Sequence, residues 1–232
     1  MKELLRNAAL QTVENFEIIS PDSRFCTIDG LLYSGSGENL YLCPKGKEGT
    51  LIIPDGTKTI SIEACRNCKF DKVILSDSIK IIDKYSFSQS WNLKEIEGGK
   101  NVEEIRGYAF FDCRALNRFV FPTKLKGIGG DAFCNTSLNE IKLPEGLRTI
   151  GPSAFDTVGT SKSFASCAGQ SDMYEIYIPP TVQNIGAAAF PNASYIYMPK
   201  NVMENMYWSG IAKIGLRGGN LCICHCCNIW KL

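Results

Sequence analysis

Leu138-Asn139-Glu140-Ile141-Lys142-Leu143-Pro144-Glu145-Gly146-Leu147-Arg148-Thr149-Ile150-Gly151-Pro152-Ser153-Ala154-Phe155 is one copy of a unit that most of the chain repeats. With Leu138 as position 1, apolar residues fall at positions 1, 4, 6, 10 and 13, Pro at 7, Gly at 14 and the pair Ala-Phe at 17 and 18. The preceding copy keeps this frame with Leu116, Phe119, Phe121, Pro122, Leu125, Ile128, Gly129, Ala132 and Phe133. Earlier copies run Leu93, Ile96, Val102, Ile105, Ala109, Phe110, Cys113 and Phe70, Val73, Leu75, Ile79, Ile82, Ser86, Phe87, Ser90. A later one runs Met173, Ile176, Ile178, Pro179, Val182, Ile185, Gly186, Ala189, Phe190. Weaker copies flank these, upstream as Leu51, Ile53, Pro54, Ile60, Ala64, Cys65 and Cys68, downstream as Ile196, Met198, Pro199 and Val202. A period near twenty residues means that no copy buries its apolar side alone, so copies stack, and atypical end copies face water.

Positions 4 and 6 alternate with 3 and 5, the period of a strand with one buried face, so stacked copies predict a parallel sheet. Pro at 7 donates no ladder bond and turns the chain around a corner. Positions 10 and 13 re-enter the core on a second side. Gly at 14 predicts a kink or a close backbone approach. Ala-Phe reads as a short helical turn, small Ala admitting a neighbour and Phe filling the coil.

The combination of Pro, Ile-Gly and Ala-Phe at fixed offsets resembles the BspA-like leucine-rich repeat family over about Phe25 to Val202. The resemblance implies a repeat solenoid: a right-handed leucine-rich-repeat-like superhelix with parallel strands on one face and short strands or helical turns on the other. It also implies a scaffold for protein or glycan ligands, often in adhesins on microbial cell surfaces; an intracellular scaffold or effector binding a protein partner is the alternative.

The expected organisation is an N-terminal helical cap or leader remnant over 1–24, a β-hairpin cap over 25–47, repeats over 48–202 and a C-terminal cap with a Cys-rich tail over 203–232. Leu4, Leu5, Ala8, Ala9, Leu10, Val13 and Phe16 give the first segment a helix-like period, without the unbroken apolar core of a secretory signal. Either the protein stays inside the cell or a leader has been removed. Asp29-Gly30 marks a tight turn between strands. An excursion over 159–172, rich in Ser, Gly and Ala, bulges from its coil as a tolerated loop or as part of a binding face. The chain holds 25 basic and 24 acidic residues, which points to neither nucleic acid nor an anionic membrane. No apolar run reaches membrane-spanning length.

Outward strand positions carry the candidate sites. Position 3 runs Thr50, Lys72, Glu95, Arg118, Glu140, Glu175, Tyr195, and position 5 runs Ile52, Ile74, Glu97, Val120, Lys142, Tyr177, Tyr197. Lys72, Glu95, Arg118 and Glu140 alternate in sign as a structural ladder. Tyr177, Tyr195 and Tyr197 gather beside Glu175, and two readings stand: a partner site made of rigid aromatic area, or a surface over which Met203, Met206, Tyr207 and Trp208 fold as a cap.

Among 11 cysteines, Cys65, Cys68 and Cys113 take inward positions as small hydrophobes, and the odd total argues against a full disulfide framework. In the tail, Cys222, Cys224, His225, Cys226 and Cys227 have soft-metal chemistry but are too tightly spaced for a tetrahedral zinc knuckle. Acylation, opportunistic metal binding and a plain capping tail remain open there. The sequence has no HExxH, Walker or GxSxG motif, and its one imidazole lies in that tail, so neither catalysis nor a cofactor is expected. Asn135-Thr136-Ser137 and Asn192-Ala193-Ser194 match the glycosylation acceptor.

Overall fold

The computed structural model describes residues 12–18, 24–158, 174–191, 193–205 and 220–222. The chain is a β-solenoid whose coils are the repeat units. On one flank β4 (Thr50–Ile52), β6 (Lys72–Leu75), β8 (Glu95–Gly98) and β10 (Arg118–Phe119) form a parallel sheet in that order. The register joins Thr50 to Lys72, Lys72 to Glu95 and Glu95 to Arg118, so position 3 meets position 3. Leu51, Val73, Ile96 and Phe119 at position 4 are buried, as the period of two requires.

The second flank is the longer spine. The two-residue strands β5 (Thr59–Ile60), β7 (Ile81–Ile82), β9 (Glu104–Ile105), β11 (Gly127–Ile128), β12 (Thr149–Ile150) and β14 (Asn184–Ile185) stack in parallel, each burying or half-burying its position 13 residue. A hairpin supplies its first rungs. β1 (Phe25–Ile28) and β2 (Leu31–Ser34) are antiparallel around Asp29 and Gly30, both at positive φ as a two-residue I′ turn demands. β3 (Asn39–Leu42) returns antiparallel to β2 and pairs in parallel with β5.

The Ala-Phe corner differs from the helical turn that its small-then-large pair suggests. In one coil, Ala109, Phe111 and Cys113 N–H groups donate to the Arg106, Tyr108 and Phe110 carbonyls, giving three successive four-residue turns. Between them, Tyr108, Phe110 and Asp112 N–H groups donate outward to Gly130, Ala132 and Cys134 of the next coil at 2.8–2.9 Å. A helix would direct those donors along its own axis. This geometry needs left-handed residues at positions 16 and 20, and it has them at Glu63, Tyr85, Tyr108, Asp131, Ser153 and Ala188, then at Asn67, Gln89, Asp112, Asn135 and Thr157. Each costs about 1–2 kcal/mol of backbone strain, offset by a ladder of inter-coil hydrogen bonds along the corner.

Inside the corner, position 18 builds an aromatic column. Phe87, Phe110, Phe133, Phe155 and Phe190 are each fully buried and stack on the next at centroid distances of 5.1–5.4 Å with rings within 21° of parallel. Cys65 precedes them in the first coil, also buried. Gly at position 14 is where coils touch: a Cβ on Gly129 would lie 2.3 Å from Gly107 N, and one on Gly151 2.2 Å from Gly130 N.

Three local features depart from the regular repeat. Residues 138–143 form no strand, although Leu138 and Ile141 stay buried, so the first sheet stops at β10. That coil carries the 159–172 excursion, which lies outside the described residues. Residues 13–18 are not helical; Phe16 N–H donates to the Gly30 carbonyl and the Val13 carbonyl accepts from Gly46, which lays this segment on the hairpin. The Asn135 amide of the first glycosylation acceptor is used internally, donating to the Asp112 carboxylate.

Cys43, Cys65, Cys68 and Cys113 are all buried. Burial pushes the Cys113 thiol well above its ordinary value of 9.0, and its Sγ donates to the Phe87 carbonyl at 3.0 Å. Burial pushes Cys134 up to about 11. A thiol kept neutral in the fold but ionised when unfolded contributes full stability below the unfolded pKa, and loses it as pH rises towards the folded one. Stability is therefore expected to hold to about pH 9 and then fall, each such thiol contributing a slope of up to about 1.4 kcal/mol per pH unit. Urea titrations from pH 7 to 11 check this: Cys113→Ala flattens the alkaline limb, and an unchanged limb contradicts the assignment.

Candidate partner-binding face

The C-terminal coils rebuild a parallel sheet from β13 (Tyr174–Tyr177), β15 (Ala193–Tyr197) and β16 (Asn220–Cys222). Ile176, Ile178, Ile196 and Met198 turn inward and are buried. Their alternation sends Glu175, Tyr177 and Tyr197 to the outer face. Register places Glu175 beside Tyr195 and Tyr177 beside Tyr197. The Tyr177 and Tyr197 rings stack at 4.4 Å and 8° from parallel, and Tyr177 remains 60% exposed. Its hydroxyl donates to Glu175 Oε2 at 3.5 Å. An offset or parallel aromatic pair contributes about 0.5–1.5 kcal/mol beyond burial, which holds both rings flat.

The segment after β15 begins with the short helix α1 (Lys200–Asn205), whose Val202 is buried. The chain then returns as β16, which pairs in parallel with β15 and sets Asn220 beside Tyr195 and Cys222 beside Tyr197. It extends the sheet by one rung. Tyr177 keeps its exposed face beside this added rung. Met206, Tyr207 and Trp208, like Cys224, His225, Cys226 and Cys227, lie outside the described residues. Among the described residues, no group of three or more His, Cys, Asp or Glu side chains is placed to hold a metal, and no helix is long and apolar enough to cross a membrane.

The N-terminal rungs of the first sheet have a different chemistry. Lys72 bridges Glu95 at 3.4 Å and Glu97 at 2.8 Å, and Arg118 Nη1 meets Glu95 at 2.6 Å. The Glu97 carboxylate beside Lys72 raises that ammonium, and Lys72 in turn holds Glu97 below its usual range. Glu140 leaves the ladder and pairs with Lys142 of its own rung at 2.8 Å. The missing strand at 138–143 accounts for this, because without a ladder the two rungs are not held in register. These charges satisfy one another, whereas the tyrosine rungs offer exposed area.

The outward positions of the spine escaped the sequence reading, which followed only the first sheet. They place Tyr85 on Tyr108, stacked at 4.7 Å and 12°. Trp91 was also missed; it is 53% exposed with its indole Nε1 donating to Asp112 at 3.0 Å. Tyr85 and Tyr108 share position 16, but the other coils fill it with Glu63, Asp131, Ser153 and Ala188, so the repeat frame shows no aromatic column there.

Comparison with known proteins bears on this architecture. A leucine-rich repeat protein from Bacteroides ovatus matches with a TM-score of 0.50 at 23% identity, over 68% of this chain and 42% of its own. A leucine rich cell surface protein from Faecalibacterium prausnitzii matches with a TM-score of 0.50 at 16% identity, over 80% of this chain and 56% of its own. The chain thus spans about half the length of these solved relatives. No curated protein matches it. The family model described as BspA type leucine rich repeat region matches in six copies over residues 43–162, just over half of the 232 residues, and the chain belongs to that family.

Proposed function

We propose that this chain is a protein-binding scaffold of a microbial cell surface, which takes its partner on the rungs of Tyr177, Tyr195 and Tyr197 with Glu175 at their edge. The stacked Tyr177–Tyr197 pair carries this reading: it is flat, pre-ordered by the parallel register and left open at Tyr177. Tyr supplies large contact area at small cost in side-chain freedom, which is why it dominates the energetic centres of interfaces. The surface location draws support from the family resemblance and from the Faecalibacterium relative, itself a cell surface protein.

Protease shaving of intact host cells tests the location, with detection of a peptide from the Tyr177 to Tyr197 region. Loss of the peptide from shaved cells is the expected result. Its survival in unbroken cells, with digestion after lysis, would make the chain an internal scaffold.

A further inference from the structure

The spine flank opens a trough on the outside of the coils. Its floor lies where outward positions 12, 14 and 15 of one coil are Gly127, Gly129 and Gly130, between coils that carry Glu104 and Arg106 on one side and Thr149 and Pro152 on the other. It is an open groove of about 750 Å³. Coil contact accounts for Gly129, whose Cβ would strike Gly107 and Arg106 backbone. It does not account for Gly127, where a Cβ would meet only the Thr149 hydroxyl, at 3.0 Å. Equivalent positions hold Thr59, Ile81, Glu104 and Thr149. The bare floor at Gly127 therefore serves the trough and not the stack.

The walls have defined chemistry. On the corner side the column at position 16 falls from Tyr85 and Tyr108 to Asp131, so the aromatic stack ends at Tyr108 and the trough begins beyond it. On the rim Arg106 is shared by Asp83 and Glu104, and Lys126 is held by Glu103 at 2.6 Å. Lys84 and Arg148 also line the trough, and neither forms an ion pair among the described residues. They stand three coils apart on opposite edges, about 14 Å along the stack. Asp83, Glu103 and Glu104 neutralise Arg106 and Lys126, which leaves Lys84 and Arg148 as the cations of the trough open to a ligand.

This combination selects among anionic ligands. An added peptide strand is excluded by the floor, because Gly127, Gly129 and Gly151 N–H groups are already spent on the neighbouring coils. Apolar anchors of a peptide find no pocket, since Ile105 and Ile128 point inward and are buried. The near-neutral chain lacks the broad basic field that nucleic acid needs. A flat aromatic wall, hydroxyls on Tyr85 and Thr149, and separated cations suit a ring-bearing chain with spaced acidic groups. We propose that the trough binds an acidic oligosaccharide, with carboxylate or sulfate groups on Lys84 and Arg148 and a sugar ring against Tyr108.

Isothermal titration tests this on the full chain at low ionic strength, with a heparin-derived hexasaccharide, a hexagalacturonate and a neutral cellohexaose. At least one acidic probe is expected to bind and the neutral one to bind far more weakly. Lys84→Ala/Arg148→Ala is expected to weaken binding by about tenfold or more, and Gly127→Thr, which fills the floor with a residue the sister coils already carry, to do the same. Unchanged circular dichroism and melting show that both variants fold. Tyr177→Ala/Tyr197→Ala leaves this binding intact, which separates the trough from the tyrosine face. The proposal is overturned if neither acidic probe binds, if both trough variants bind like the parent, or if hexaglutamate binds as tightly and is lost in the same variants.

Discussion

Phe133→Ala is expected to lower stability by about 3–5 kcal/mol, the range for removing a buried Phe side chain without collapse of the site. Its ring is fully buried and contacts Phe110 at 5.1 Å and Phe155 at 5.4 Å in the position 18 column, with Phe119 and Phe121 edge-on at 5.1 and 5.3 Å. The column runs through consecutive coils, so the cavity separates two halves of the array. In a quasi-one-dimensional stack that weakens the nearest-neighbour coupling as well as the local coil. Urea unfolding followed by circular dichroism is expected to show a lower midpoint and a broader or divided transition. Phe133→Leu keeps most of the volume and should retain most of the stability. A loss below about 1 kcal/mol for the Ala variant would mean that the column does not couple the coils.

Gly151→Ala is expected to be a costly addition of a single carbon. Its Cβ would lie 2.2 Å from Gly130 N and 2.5 Å from Gly129 C, both backbone atoms of the neighbouring coil. Neither can turn away, and the 2.7 Å bond from Gly151 N–H to the Ile128 carbonyl fixes the approach. Overpacking of this kind costs about 1–3 kcal/mol and more where backbone must shift. Gly127→Ala is the control, since its Cβ meets only the mobile Thr149 hydroxyl, and it should be neutral or slightly stabilising. Equal melting temperatures for the two variants would show that the coils are not in the close contact described.

The contrast between these glycines shows what was legible in the sequence. A repeat frame exposes whatever the packing forces to recur, so the buried positions 4, 13 and 18 and the close approach at Gly129 and Gly151 could all be read from spacing. The left-handed corner residues could not. Glu63, Tyr85, Ser153 and Ala188 share a conformation without sharing chemistry, because inter-coil hydrogen bonds impose it from outside the residue. Strand formation is likewise a property of neighbours: the copy at 138–155 is highly regular, yet its first segment forms no strand. Asp29-Gly30 lay at the opposite extreme, a local signal that the backbone follows directly.

The tyrosine face was legible for the same reason as the core. Once the frame is fixed, positions 3 and 5 must point out, and in-register pairing must bring Tyr177 to Tyr197. The trough was not, because its outward column passes through glycines and a corner whose geometry the sequence conceals. Cys43 shows the same limit: it lies before the first repeat, yet the hairpin's return carries it into the core beside Cys65 and Cys68.

The central claim is that partner recognition lies on the tyrosine rungs and not on the charge ladder of the same flank. The measurement that tests it most directly is surface binding to a panel of host matrix proteins by the parent chain, by Tyr177→Ala/Tyr195→Ala/Tyr197→Ala, and by Lys72→Ala/Arg118→Ala. The account predicts that the tyrosine variant stays folded and loses at least about tenfold in affinity, the loss of one interface anchor, while the charge variant binds like the parent. A folded tyrosine variant with full binding, or a charge variant that loses it, would contradict the account.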